Sequence, residues 1–116
     1  MGRILLVEEK EDLAGAYSLM LAVGNHGTKR VSNGTEALKC LGKKRHFDLV
    51  ITNSKMPEIN SGKLLLKLKA MRPNVPIIMI TSNDIPLGEH GADVVLPKPI
   101  SLANFLGNVN LQLKRH

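Results

Sequence analysis

The stretch "FDLVITNSKMP", residues 47–57, contains a short apolar run that ends abruptly in polar residues and a proline. The run "DLVIT", residues 48–52, predicts a buried β-strand, and Asn53 stands at its tip. In open α/β sheets the carboxyl ends of strands carry the functional groups. An amide, however, is neither a useful base nor a nucleophile. The sequence therefore raises the question of what Asn53 does at this position.

Apolar runs of the same kind recur along the chain and alternate with segments of helical spacing. Further strands are predicted over residues 3–7, 27–32, 75–81 and 93–97. Helices are predicted from Glu11 to Gly24, over residues 35–41, from Leu64 to Met71, and over residues 101–114. Pro73 stops the third of these helices, and Ser101 is the N-cap of the fourth. This alternation predicts a parallel sheet covered by helices on both faces, within a single domain of residues 1–116.

One segment fits this alternation poorly. Residues 82–90, "SNDIPLGEH", are barely long enough for two helical turns, and they contain Pro86 and Gly88. Both residue types oppose helix formation. We therefore predict a short, irregular segment between the fourth and fifth strands.

Composition is that of a globular protein with an aliphatic core, because 43% of the 116 residues are hydrophobic and only 3% are aromatic. No apolar run approaches the roughly 18 residues that a membrane helix needs. Acids follow the first apolar run where a signal peptide would have its cleavage site. Cys40 is the only cysteine, which excludes an intrachain disulfide; its spacing from Ala37 and Leu41 predicts a buried position. We expect a cytoplasmic protein that does not contact membranes.

The charge is unevenly distributed. The net charge is +6, yet four of the ten acids lie in "EEKED", residues 8–12; outside this stretch six acids face fifteen bases. Bases gather in residues 43–46, between Lys63 and Arg72, and at the carboxyl terminus. Such a surface could bind an anionic partner, or it could be a solvated helical face. Because no aromatic residues are interleaved with the bases, we favour the solvated face and do not expect nucleic-acid binding.

Polar residues stand at the carboxyl ends of four predicted strands. They are Glu8 with Glu9, Asn53, Thr81 and Lys98. In a parallel sheet these ends converge on one edge, where carboxylates and other oxygens would suit a hard cation such as Mg²⁺. A lysine beside them would pair with an anion that the metal also holds.

These features together resemble the receiver domain of two-component response regulators. The resemblance covers essentially the whole chain and rests on "ILLVEEKED", "SNGTEAL", "FDLVITNSKMPEINSG", "VPIIMITS" and "GADVVLPKPIS", in the order and spacing of that family. It implies a flavodoxin-like fold, with a doubly wound five-stranded parallel sheet in the order 2-1-3-4-5. The fourth helix of that fold would be shortened here. The resemblance also implies a module of phosphorelay signal transduction rather than an enzyme.

The resemblance assigns roles to individual residues. Glu8 and Glu9 match the acidic pair that holds Mg²⁺, and Asn53 matches the aspartate that accepts phosphate. Thr81 matches the switch hydroxyl that contacts the phosphoryl group, and Lys98 matches its lysine partner.

Two further matches concern the backbone. The carbonyl of Lys55 matches a backbone ligand of the metal. The Lys98–Pro99 bond matches a peptide bond that is usually cis in the family, a geometry almost confined to X–Pro bonds.

The sequence also departs from the family pattern at three positions. An amide has no anionic oxygen, so we expect Asn53 not to be phosphorylated and Mg²⁺ binding to be weak or absent. Glu9 is one methylene longer than the Asp usual at the second acidic position. Val95 stands where the family usually has a Tyr or Phe that changes rotamer during signalling. We interpret these departures together as natural divergence to a pseudo-receiver, a receiver fold without a functional phosphoacceptor.

Simpler roles stay open for each of these side chains. Glu8 and Glu9 could be solvated acids at the start of the first helix. Thr81 could only satisfy a backbone group at a strand end. Lys98 could pair with one of the two glutamates instead of a phosphate. For Asn53 we expect a structural role, with its amide hydrogen-bonded to both Lys98 and the acidic pair.

Three functional hypotheses follow. The first is a pseudo-receiver that acts by binding a signalling protein such as a kinase, an output domain or another regulator, with homodimerisation left open. The second is an active phosphorelay receiver whose acceptor aspartate is substituted or deamidated at Asn53. The third is a flavodoxin-like nucleotide-binding protein, which "EEKED" after the first strand disfavours because it would repel phosphate.

Overall fold

The computed structural model describes residues 2–42, 46–53, 61–81 and 92–115. Five strands form one sheet: β1 Arg3–Val7, β2 Gly27–Val31, β3 Leu49–Asn53, β4 Ile77–Thr81 and β5 Val94–Pro97. Their order is β2-β1-β3-β4-β5, and every neighbouring pair is parallel. The predicted sheet and its strand order are confirmed.

Four helices lie within the described ranges. They are α1 Glu11–Val23, α2 Gly34–Gly42, α3 Ser61–Met71 and α4 Leu102–Arg115. Ser101 is the predicted N-cap, because its Oγ accepts a hydrogen bond from the Asn104 N–H at 3.1 Å. Gly24 ends α1 as predicted, and the left-handed residue that follows is Asn25, with φ of 64°. A side chain at Gly24 would collide with Leu106 of α4, since an added Cβ would lie 2.8 Å from its Cδ2 atom.

Strand limits differ from the prediction by one or two residues. The fourth strand begins at Ile77 rather than 75, since Pro76 has no N–H to give to a sheet ladder. The fifth begins at Val94 because the carboxylate of Asp93 instead accepts a hydrogen bond from the Ile77 N–H at 2.7 Å. The third includes Asn53 as its last residue. Asn53 is thus held by the sheet itself.

The core has two layers, one on each face of the sheet. Alternate residues of β1 point to opposite faces, so Ile4 and Leu6 pack in one layer, and Leu5 and Val7 pack in the other. The first layer is covered by α1 and α4, and the second by α2 and α3. Because β1 is buried on both faces, it reads as a continuous apolar run. Cys40 is buried in the second layer, as predicted.

His26 connects three elements at the amino edge of the sheet. Its Nδ1 accepts a hydrogen bond from the Gly2 N–H at 3.0 Å, so Nε2 carries the proton and donates to Asn110 Oδ1 at 2.9 Å. The ring is buried. The two bonds tie the start of β1 and the start of β2 to α4.

Parts of the prediction fall outside the described residues. These are Lys55 and the irregular segment 82–90, where the shortened helix between the fourth and fifth strands is predicted. Within the described ranges, no helix is long and apolar enough to cross a membrane.

Candidate phosphoacceptor-equivalent site

The predicted site residues meet at the carboxyl edge of the sheet. Glu8 directly follows β1, Asn53 ends β3, and Thr81 ends β4. The register aligns these ends, because Thr52 pairs with Val7 of β1 and Asn53 pairs with Ile80 of β4. Parallel strands in this register place the residues after β1 beside the end of β3. The predicted convergence is confirmed for these described residues.

Glu8 and Asn53 are in direct contact. The Asn53 Nδ2 donates a hydrogen bond to Glu8 Oε1 at 3.0 Å, and the Lys10 backbone N–H donates to Glu8 Oε2 at 3.1 Å. A carboxylate only accepts hydrogen bonds, so the amide must turn its nitrogen, not its oxygen, towards Glu8. Glu8 is only 2% exposed. Both of its oxygens are thus occupied by N–H donors, and the suggestion that it is a solvated acid is wrong.

Arg30 of β2 supports the acidic loop from the side. Its Nε donates to the Glu8 carbonyl at 3.0 Å, and its Nη2 donates to the Glu9 carbonyl at 2.9 Å. The guanidinium therefore fixes the backbone of both acids while its charge lies next to them. Sequence reasoning missed this residue, because an arginine in a weak edge strand carries no local signal of such a contact.

Glu9 differs from Glu8 in being exposed. Among the described residues, no cluster of three or more His, Cys, Asp or Glu side chains could hold a metal ion. Both Glu8 oxygens already accept N–H bonds, one from the Asn53 amide and one from the Lys10 backbone. The described residues therefore do not fit a ready Mg²⁺ site.

Thr81 and Lys98 are brought together through the backbone. Thr81 is buried, and its carbonyl accepts a hydrogen bond from the Lys98 N–H at 2.8 Å. The Lys98–Pro99 bond is cis, as predicted. Within the described ranges, the Lys98 side chain forms no salt bridge with Glu8 or Glu9 and no hydrogen bond with Asn53. Neither of the two pairings predicted for this lysine is found among the described residues.

Val95 lies in β5 and is partly buried against the core layer beneath α2 and α3. A β-branched valine has few rotamers, and it lacks the ring that would move between an exposed and a buried position. The aromatic rotamer change expected of the family has no counterpart in this side chain.

The charge of Glu8 affects the pKa of a neighbouring tyrosine, Tyr17. Tyr17 of α1 is buried and stacks on Phe105 of α4, with ring centroids 5.8 Å apart. Burial raises the pKa of the Tyr17 hydroxyl above its usual value, and the negative charge of Glu8 raises it further. The tyrosine therefore reports on the charge state of the site.

A second concave region lies at the opposite, amino edge of the sheet. It is an open groove of about 520 Å³. Its lining residues are Gly2, Arg3, Gly27, Thr28, Lys29 and Asp48. None of the predicted site residues lines this groove, so it is separate from the Glu8–Asn53 contact.

Comparisons with known proteins agree on the family. The family model of the response regulator receiver domain matches residues 4–110. A transcriptional regulatory protein of Haemophilus influenzae, a CpxR homolog, is 31% identical over 120 residues, covering 99% of this chain and 52% of that protein. The chain thus spans about half the length of the curated relatives it matches.

Solved structures show the same fold. The signal receiver domain of a histidine kinase from Syntrophus aciditrophicus superposes with a TM-score of 0.91 at 30% identity, covering 99% of this chain and 92% of that one. The receiver domain of a sensor histidine kinase from Pseudomonas aeruginosa has a TM-score of 0.88 at 21% identity, covering 97% and 98%; its structure has a magnesium ion in the active-site cleft. With the strand order, the family match and these relatives in agreement, the chain belongs to the response regulator receiver domain family.

Proposed function

We propose that this chain is a receiver module of two-component signalling that is not phosphorylated at Asn53 and acts by binding another signalling protein. Receiver domains work with histidine kinases and output domains, so the partner class is a kinase, an output domain or another regulator. The module would be cytoplasmic, and it would carry no enzymatic activity of its own.

The observation that carries this proposal is the 3.0 Å hydrogen bond from Asn53 Nδ2 to Glu8 Oε1. Formation of an acyl phosphate needs an anionic carboxylate oxygen as nucleophile, whereas the amide nitrogen has its lone pair delocalised into the carbonyl. Here that nitrogen is also turned towards a carboxylate as a donor. The amide supports the frame of the site but offers no nucleophile.

The same bond explains how a buried glutamate is tolerated without a bound cation. A carboxylate removed from water is costly unless it accepts strong hydrogen bonds. Glu8 receives one from the Asn53 side chain and one from the Lys10 backbone. We therefore expect the site to keep its conformation without Mg²⁺.

A second candidate is an active phosphorelay receiver whose acceptor is restored when position 53 is aspartate. The observation that favours it is the preserved frame, with Thr81 at the tip of β4 and a cis Lys98–Pro99 bond. The nucleotide-binding hypothesis has no comparable support, since the acidic Glu8 and Glu9 follow β1 where a phosphate-binding loop would lie.

Phosphorylation tests both candidates in one experiment. The wild-type chain and Asn53→Asp are incubated with acetyl phosphate and Mg²⁺, and intact mass is measured for each. We expect no phosphoryl adduct on the wild type. A stoichiometric adduct on the wild type would overturn the proposal. An adduct on Asn53→Asp alone would support the proposal and would show that the amide of Asn53 blocks the reaction. The absence of an adduct on either chain would show that Glu9 or Val95 also prevents phosphorylation.

A further inference from the structure

Two exposed helix faces lie on opposite sides of the sheet and have opposite charge. The first belongs to α1, whose residues include two acids, both in the first turn, and no base. Its exposed residues are Glu11, Asp12, Gly15, Ala16, Leu19, Ala22 and Val23; we call them the α1 face. Leu19 is 71% exposed and Val23 is 69% exposed. A helix that is apolar on its outer side as well as its inner side is unusual for a solvated surface.

The second face belongs to α3, which contains lysines and no acid within Ser61–Met71. Its exposed residues are Lys63, Leu66, Lys67, Ala70 and Met71; we call them the α3 face. Leu66 is 74% exposed and stands between two lysines. An apolar anchor with a charged rim is the anatomy of a protein-binding surface, whereas a merely solvated face has no need of the exposed leucine.

The two faces match each other at three positions along one stripe of each helix. Along α1 an acid is followed three residues later by a glycine and seven residues later by a leucine. Along α3, at the same spacing, a lysine is followed by a leucine and then by an alanine. The facing pairs are Asp12 with Lys63, Gly15 with Leu66, and Leu19 with Ala70. Residues at this spacing share one stripe of a helix, so charge meets opposite charge and each leucine meets a small residue.

From this match we infer that a second copy of this chain docks its α3 face on the α1 face of the first, with the two helices parallel. The interface is heterologous, because two different surfaces meet. Since α1 and α3 cover opposite layers of the sheet, one molecule can use both faces at once, and association continues head to tail. A contact between single helices buries less than the roughly 1,200 Å² of a stable complex, so the association is weak and transient.

This inference goes beyond the proposed function and does not depend on the chemistry of Asn53. It also differs from general charge attraction, because the chain has a net charge of +6 and would otherwise repel its copies. The acids of α1 and the lysines of α3 must therefore act locally, at distances within the Debye length of about 10 Å at 0.1 M salt.

The test is a charge swap followed by sedimentation velocity at low ionic strength. For the wild type we expect the average mass to rise with concentration and to return to that of one chain at about 0.5 M salt. Lys63→Glu with Lys67→Glu should weaken association about tenfold, because the attraction between Asp12 and Lys63 becomes a repulsion and the second added negative charge lies one helical turn away from it. The double variant Glu11→Lys with Asp12→Lys should weaken association by a similar factor. A mixture of the two double variants should associate again, since the reversed faces then complement each other.

Matched controls separate the docking from nonspecific effects. Lys29→Glu with Lys114→Glu lowers the net charge from +6 to +2, as the α3 variant does, but lies off both faces and should leave association unchanged or strengthen it. Leu66→Ser should weaken association, whereas Leu111→Ser, at a leucine 51% exposed on α4, should not. A wild type that stays monomeric up to about 1 mM, a mixture that stays monomeric, or equal behaviour of the two +2 variants would overturn the inference.

Discussion

Replacing Asn53 by aspartate should destabilise the folded chain in the absence of divalent cations. The substitution is nearly isosteric, but it exchanges the amide nitrogen that donates to Glu8 for an anionic oxygen. Two carboxylate oxygens would then stand where the structure now has a hydrogen bond of 3.0 Å. Glu8 is 2% exposed, so it cannot turn into water to escape.

The magnitude follows from that geometry. The lost hydrogen bond to a charged group is worth about 1.5–3 kcal/mol, and two unit charges about 3 Å apart repel by about 5 kcal/mol at an effective dielectric constant near 20. Rotation of the partly exposed aspartate relieves much of this repulsion. We expect a net loss of about 2–4 kcal/mol, which corresponds to a fall in Tm of roughly 8–16 °C for a domain of this size.

The assay is thermal unfolding followed by circular dichroism, in EDTA and then in Mg²⁺. Asn53→Asp should regain most of its stability when Mg²⁺ is added, because a cation between two carboxylates removes their repulsion. The wild type should respond little, because its site has only the Glu8 carboxylate, whose oxygens already accept hydrogen bonds from N–H groups. Asn53→Ala should lose stability without any response to Mg²⁺.

The matched control is Asn33→Asp. The Asn33 Oδ1 accepts a hydrogen bond from the Glu36 N–H at 2.9 Å at the start of α2, so the same amide-to-carboxylate change keeps that bond. A negative charge near a helix N-terminus is favourable, and this variant should be as stable as the wild type or more stable. Equal stability of Asn53→Asp and the wild type in EDTA, or an equal gain of both from Mg²⁺, would contradict the predicted repulsion between a carboxylate at position 53 and Glu8.

Three further predictions use groups outside the amide itself. Burial, and to a smaller extent the charge of Glu8, raise the pKa of Tyr17, the only tyrosine. The contribution of Tyr17 to the free energy of unfolding should therefore be full below the unfolded pKa of 10.0 and should be lost as pH rises through the higher folded pKa. Tyrosinate absorbance should show this titration, and Glu8→Gln should lower the pKa of Tyr17 while leaving it above 10.0; an unchanged pKa would contradict the contact. A hydrogen bond from the Arg3 N–H holds the pKa of Asp48 below its ordinary 3.8. In urea unfolding, the excess stability of the wild type over Asp48→Asn should therefore shrink as pH falls below 3.8. An excess that does not change with pH would contradict the lowered pKa. His26→Ala should cost about 2–3 kcal/mol in the same assay, because it removes a buried ring and leaves the buried Gly2 N–H without its acceptor. A cost below about 0.5 kcal/mol would show that the two hydrogen bonds of His26 do not contribute to stability.

Much of the architecture was predictable because it depends on local patterns. Strands buried on both faces must be continuously apolar, and helices over them must have apolar residues three and four positions apart. The five strands, the cap at Ser101 and the burial of Cys40 follow from such patterns. The limits of β4 and β5 were less predictable, because Pro76 and the hydrogen bond accepted by Asp93 decide them through contacts across the sheet.

Which residues reach the candidate site was predictable from the sequence, since parallel strands bring their carboxyl ends to one edge of the sheet whatever their side chains are. It was also clear from the sequence that position 53, which we expect to match the phosphoacceptor, has an amide and not a carboxylate. Three features depend on contacts that form in the folded chain: the burial of Glu8 and not Glu9, the orientation of the Asn53 amide nitrogen towards Glu8, and the hydrogen bonds from Arg30 to the backbone of both acids. Those outcomes depend on distances between residues 45 and 22 positions apart in the chain, and such distances exist only after the sheet has assembled.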